Sequence, residues 1–106
     1  MDKGLQLLSL CRRAGKLRIG YDAVEQAARR REAAAVLLSR ELAERTRRHA
    51  EQFCRQTRTP VYFLSYSFDD LAPFLGRRAG ILCITDAPFA KAIVAAAHAE
   101  TATGTS

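Results

Sequence analysis

The sequence predicts an α/β protein: a three-layer α-β-α sandwich on a four-stranded mixed sheet, in the order α-β-α-β-α-β-α-β-α. Three observations lead there. Residues 34–38 (Ala-Ala-Val-Leu-Leu) and 80–85 (Gly-Ile-Leu-Cys-Ile-Thr) are apolar without alternation, the pattern of strands covered on both faces. The segments between strands repeat apolar residues at helical spacing, as helices with one buried face do. The two kinds of segment alternate regularly, with neither linker nor internal repeat, which puts helices on both sides of one central sheet.

Residues 3–14 read as a helix whose buried stripe is Leu5, Leu8 and Cys11, widened by Leu7, Leu10 and Ala14. Arg12 and Arg13 suit the dipole of its last turn, and Gly15 stops it. Residues 17–19 form a short strand with Leu17 and Ile19 inward and Arg18 outward, ended by Gly20. Residues 21–31 are a helix with Val24, Ala27 and Ala28 inward and Gln26, Arg29 and Arg30 outward. After the strand at 34–38, Ser39 is placed to cap a long charged helix over 40–58. Its stripe is Leu42, Ala43, Thr46, Ala50, Phe53 and Cys54. Glu41–Arg45, Glu44–Arg48 and Glu51–Arg55 are spaced for ion pairs along it.

Thr59-Pro60 breaks that helix, and residues 61–64 are the third strand. Ser67 and Asp70 form a capping box with Asp for the usual Glu, opening a short helix that ends near Leu75-Gly76. The turn Arg77-Arg-Ala-Gly80 leads into the strand at 80–85. Asp86 caps the last helix, with Pro88 in its first turn, and Phe89, Ala92, Ile93, Ala96 and Ala97 face inward. Residues 1–100 are expected as one domain, and the small polar residues 101–106 as a flexible tail.

Composition bounds the function. The chain has 106 residues, 48% of them hydrophobic, enough for one core. No apolar stretch approaches the roughly 18 residues of a membrane span. The first residues lack a signal-peptide pattern, so a cytoplasmic location is expected, with no membrane partner. The net charge of +6 is uneven: residues 1–60 hold 14 Lys/Arg against 7 Asp/Glu, and residues 61–106 hold 3 against 4. Fourteen of the 17 basic residues are arginine, whose planar fork matches phosphate. An acidic partner is expected, RNA or DNA first.

Cys11, Cys54 and Cys83 are odd in number and widely spaced, so they read as free buried thiols rather than a disulfide or zinc set. His49 and Cys54 are five apart and do not share a helix face. Asp69, Asp70 and Asp86 read as caps rather than a carboxylate pair. With no phosphate loop or dinucleotide fingerprint, neither enzyme activity, metal nor cofactor is expected.

The stretch from Arg13 to Asp22 is the first candidate for binding. A helix start leaves unpaired N–H groups, Gly20 lets another backbone approach, and Lys16 and Arg18 add positive charge, a set that suits a phosphate backbone. Tyr21 offers a ring to a base or to the neighbouring helix. Arg29, Arg30, Arg31, Arg77 and Arg78 would extend the patch, with Ala79 in the turn beside them.

The element order, the segment Arg13-Ala-Gly-Lys-Leu-Arg-Ile-Gly20, the run Ala35-Val-Leu-Leu-Ser39, the Leu75-Gly76 turn and Ile84-Thr-Asp-Ala-Pro-Phe-Ala90 together resemble the kink-turn RNA-binding proteins. That superfamily includes the ribosomal proteins seven-Ae and thirty-e, and the last three pieces resemble its small bacterial YlxQ-type branch. The resemblance spans roughly residues 3–98. It implies a non-catalytic protein that grips structured RNA, ribosomal or otherwise kinked, through the loop before the second helix, with the ribosome or ribosomal proteins as further partners. The family site reads Gly, any residue, Asn, Glu, and Lys three positions after the Glu. Gly20 matches; Asp22 stands for the Asn, Ala23 for the Glu and Gln26 for the Lys. Ionised Asp only accepts hydrogen bonds, whereas an amide also donates. The loop before the fourth strand is apolar in many members and here is Gly76-Arg-Arg-Ala-Gly80, which suits backbone contact. The same departures favour an alternative, a protein-interaction module on the same fold without specific RNA recognition.

Overall fold

The computed structural model describes residues 2–101. In its sheet, β4 (Ile81–Ile84) inserts between β1 (Leu17–Ile19) and β2 (Ala35–Ser39), antiparallel to both. β3 (Val61–Leu64) runs parallel to β2 on its other side, and β5 (Glu100–Thr101) pairs antiparallel with β3, giving the order β1-β4-β2-β3-β5. The sheet is thus mixed, as expected, but has five strands rather than four. The added strand is two exposed polar residues held by pairing with Tyr62 and Phe63, so no apolar period announces it. Thr101 belongs to it and not to a tail; the rest of the expected tail, 102–106, lies outside the described residues.

The helices sort to two faces. α1 (Lys3–Arg13), α4 (Phe68–Leu75) and α5 (Ala87–Ala96) pack on Leu37, Leu82 and Ile84. α2 (Tyr21–Arg29) and α3 (Glu44–Thr57) pack on Val36, Leu38, Ile81 and Cys83. Alternate residues of β2 and β4 therefore feed two cores, and all nine are buried, which accounts for their unbroken apolar runs. Each leucine of this set contributes about 1.5–3 kcal/mol on burial. All three cysteines are free and buried, and burial pushes their thiols up to about 11 for Cys11 and Cys83 and about 12 for Cys54, so they are unreactive at neutral pH.

Several boundaries differ from the sequence reading for local reasons. α3 starts at Glu44, not at residue 40, with Ala43 as an N-cap that has no side-chain bond. Ser39 is engaged elsewhere: its hydroxyl donates to Tyr66 O (2.7 Å) and accepts from Glu41 N (3.1 Å). Glu41 accepts from Phe68 N (2.9 Å) instead of meeting Arg45. Ala43 is exposed and Leu42 and Thr46 only half-buried, because they sit in the turn or the first helical turn. Glu51 pairs with Arg47 rather than Arg55, while Glu44–Arg48 forms as expected (2.8 Å). Leu10 and Ala92 are exposed: α1 and α5 each bury a narrower stripe than their apolar content indicates. Asp70 and Asp86 cap α4 and α5, but Asp69 is not a cap; it pairs with Arg78.

Four helices end in the same way. After α1, α2, α3 and α5, one residue turns left-handed and the next N–H bonds back five residues: Lys16 to Cys11 O, Glu32 to Ala27 O, Thr59 to Cys54 O and Ala99 to Val94 O, all within 2.9–3.0 Å. Only α1 uses glycine there. The others use Arg31, Arg58 and His98 at φ of 62°, 57° and 51°. A side chain in this region costs about 1 kcal/mol, partly offset by a cation at the helix C-terminus. Arg31→Gly and Arg58→Gly should each raise stability by about 0.5 kcal/mol in urea unfolding. A loss in both would show that the charge outweighs the strain.

The N-terminus of α1 is fixed across the chain. One carboxylate oxygen of Asp2 caps Leu5 N (3.1 Å) and accepts from the Tyr66 hydroxyl (2.6 Å). That hydroxyl holds Asp2 below its ordinary 3.8, while burial, and then Asp2 itself, push Tyr66 above its ordinary 10.0. A lowered carboxyl contributes stability above its unfolded pKa and loses it as pH falls through the folded value. A raised phenol contributes below its unfolded pKa and loses it as pH rises through the folded value. The difference in Tm between the native chain and Asp2→Ala should therefore be flat from about pH 5 to 9 and shrink on both sides. A difference independent of pH would exclude the bond as its source.

Candidate nucleic-acid interface

The insertion of β4 brings two loops together. Gly20 N donates to Ile81 O (2.9 Å) at one side of the β4 entrance, and Ser39 N donates to Gly80 O (2.8 Å) at the other. The loop before α2 and the loop 76–80 therefore lie side by side on one edge of the sheet. Gly20 is the N-cap of α2 at φ 99° and ψ 155°, a conformation open to glycine, and offers no side-chain bond to the helix start. The Arg77 guanidinium lies over it, 3.3 Å from where a Cβ would stand. The Arg12 guanidinium lies likewise beside Gly76, 2.6 Å from a Cβ position. Neither arginine pairs with an acid among the described residues.

The rest of loop 76–80 is held in place. Gly80 has no room for a side chain because the Phe68 ring fills that space. Arg78 lies over the same ring, 5.5 Å from its centroid, and pairs with Asp69. Ala79 is half-buried beneath. Arg78 is thus occupied within the chain, and Arg77 is the free cation of the turn.

The other candidates are spread out. Asp22 and Gln26 are exposed on α2. Tyr21 packs its ring edge-on against Phe53 of α3 (centroids 5.5 Å), and burial, then Glu25, push its hydroxyl above its ordinary 10.0. That is the helix-packing alternative for this residue. Arg29 lies at the far end of α2, about 13 Å along the axis from Gly20, bonded to Glu25 (2.9 Å) and Gln56 (3.2 Å). Lys16 lies at the opposite end of β1, where its carbonyl accepts from Thr85 N (2.9 Å), about 13 Å from Gly20. Arg18 stands between them, exposed on this edge strand, and donates to Gly15 O and Leu17 O (3.2 Å each). The structure thus brings Gly20, Arg77 and the start of α2 together, with Lys16 and Arg18 strung along the adjoining edge. In the sequence Arg12 is a helix-end charge and Arg40 falls within the helix expected over 40–58; no pattern marks residues joined only by topology.

Among the described residues no three or more His, Cys, Asp or Glu side chains are grouped to hold a metal, and no helix is long and apolar enough to cross a membrane. The class of protein is an α/β sandwich with a basic, glycine-punctuated loop edge. A sequence model of the ribosomal protein L7Ae/L30e/S12e/Gadd45 family matches residues 2–94, and the chain belongs to this family. Its fold is similar to that of a solved structure, a protein of unknown function from Bacillus halodurans, with a TM-score of 0.85 at 24% identity over 92% of this chain and 99% of that one. No curated protein matches the sequence.

Gly20→Ala should lower stability by about 2 kcal/mol in urea unfolding, since the backbone strain is of order 1–3 kcal/mol. The loss should persist in a background of Arg77→Ala, which removes the nearby guanidinium but not the strain. A neutral Gly20→Ala would mean that this loop relaxes freely.

Proposed function

We propose that this chain is a non-catalytic RNA-binding protein of the ribosomal type, acting in translation or on another structured RNA in the cytoplasm. It grips a kinked duplex at the junction of the α2 start and loop 76–80. One observation carries this reading: the Arg77 guanidinium over the bare Gly20 backbone, beside a helix start without a side-chain cap. Backbone N–H groups and a free guanidinium are donors for phosphate oxygens, and the helix dipole favours an anion there. Lys16 and Arg18 on the β1 edge extend the contact along the RNA backbone, and family membership supports the assignment.

Titration with a kink-turn RNA and a straight duplex at two salt concentrations tests it. Arg77→Ala is expected to weaken binding of the kinked RNA and reduce the salt slope by about one. The pair Lys16→Ala/Arg18→Ala is expected to weaken both RNAs. Equal affinity for the two RNAs would remove the kink from the reading. Absence of binding at low salt would leave the protein-interaction module, which the Asp22, Ala23 and Gln26 departures favour.

A further inference from the structure

The opposite end of the sheet, away from Gly20 and Arg77, carries a feature of another kind. α1, α4 and α5 cover one face of the sheet, but α5 does not close against β3, and a groove of about 410 Å³ runs between them. Ala35 and the half-buried Tyr62 line its strand side, and Ala90, Lys91 and Val94 its helix side. The apolar surface continues on α5 outside the groove's floor, where Ala87, Pro88, Ala92 and Ala95 are all exposed. Lys91 is the only charged residue of α5 and of the groove lining. It is exposed and has no acid partner among the described residues.

We infer that this groove docks an acidic amphipathic segment of a partner protein, its apolar side chains lying between α5 and Tyr62 and a carboxylate on Lys91. Three observations carry it. First, a helix that is apolar all round is ordinarily buried all round, yet α5 buries only Ala90 and Ile93. Apolar surface left over in this way marks a place that a partner covers. Second, charge sets the sign of that partner. α1 and α5, which pack on each other, carry Lys3, Arg12, Arg13 and Lys91 and no acidic residue. Two copies of this face would repel, whereas a segment bearing Asp or Glu is attracted. Third, the lining suits protein rather than nucleic acid. A phosphate backbone is held by repeated cations and polar donors; here one ammonium borders alanine, valine and a tyrosine ring, the apolar centre and polar rim of a protein interface. The site is also free to act beside the other one. Ala35 opens β2 at the groove, and Ser39, bonded to Gly80 O, closes it about 13 Å away. The two sites share no residue, so a partner protein and an RNA can be held at once.

The experiment selects a phage-displayed library of random peptides of about 16 residues, roughly four helical turns, on the native chain. Enriched sequences should carry apolar residues at i, i+3 or i+4 and i+7, with Asp or Glu beside them. A synthetic peptide of that consensus is then titrated by fluorescence anisotropy. Lys91→Glu should weaken it about tenfold, attraction being exchanged for repulsion. The same variant should bind a peptide with Lys in place of the acids more tightly than the native chain does, a reversal that misfolding cannot produce. Ala95→Gln, which lengthens an exposed side chain at the groove, should weaken the acidic peptide. Kinked RNA added to the titration should leave the peptide affinity unchanged. No enrichment, a consensus without acids, or affinity retained in both variants overturns the inference and leaves the RNA reading standing. Displacement of the peptide by RNA, with RNA affinity lost in Lys91→Glu, assigns the groove to nucleic acid and overturns it. So does a native dimer in sedimentation that Ala95→Gln dissociates, which assigns the groove to a second copy of the chain.

Discussion

The start of β4 is the constraint on which the loop edge depends. Gly80 and Ile81 offer their carbonyls to Ser39 N and Gly20 N, so this one segment is stitched to the ends of both β1 and β2, which lie far from it in the chain. The stitch works only because residue 80 is glycine: Phe68 occupies the space where any Cβ would be, and Arg78 lies over the ring in turn. A side chain at 80 must displace Phe68 or move the strand, and either breaks the approach of Arg77 to Gly20. Ser39 and Glu41 then tie the turn after β2 to the turn before α4. Loops usually move independently; these are bonded to one another, which fixes the relative positions of their charges.

That fixing separates arginines of like composition into two kinds. Arg29, Arg47, Arg48 and Arg78 spend their charge inside the chain, on Glu25, Glu51, Glu44 and Asp69. Exposed pairs of this kind contribute at most about 1 kcal/mol each, so their main effect is to cancel field over α3 and around α2's far end. Arg31 and Arg58 sit in left-handed turns at helix ends and face the negative pole of the dipole. Among the described residues Arg12, Arg13, Arg18, Arg30, Arg40, Arg45, Arg55 and Arg77 have no acid partner, and of these Arg40 and Arg77 flank the β4 entrance. The positive first half of the chain is therefore a poor guide to the interface by count and a better one after these cancellations.

Much of the fold was legible because it rests on local signals. The doubly buried strands 34–38 and 80–85, the Ser67/Asp70 capping box, the Asp86 cap and the Gly15 stop each follow from a few adjacent residues, and each is found. What was hidden depends on partners distant in sequence. β5 exists because Tyr62 and Phe63 offer an unpaired edge to Glu100 and Thr101. Ser39 has the chemistry of a cap, but Tyr66 O takes its hydroxyl, and α3 starts four residues late. The meeting of Gly20 with Arg77 follows from the position of β4 in the sheet, which regular alternation of elements does not specify. Lys16 illustrates the converse: it is near Gly20 in sequence and at the other end of the strand in space.

The departures from the family's base-reading set gain meaning from this geometry. Asp22 and Gln26 are exposed on the first turns of α2, the helix that Gly20 caps. Asp22 accepts but does not donate, and beside a phosphate it repels. On the proposed function a phosphate is held by the Arg77 guanidinium and the α2 N–H groups rather than by residue 22. Contacts made there by guanidinium and backbone N–H groups position a backbone without reading its sequence. On the proposed function, discrimination among RNAs then comes from shape, through a backbone that meets Arg77 and the β1 edge together. Gly20, at φ 99°, stands where β1 passes into α2, so on the proposed function its backbone sets how the β1 edge and the helix start are presented to the RNA.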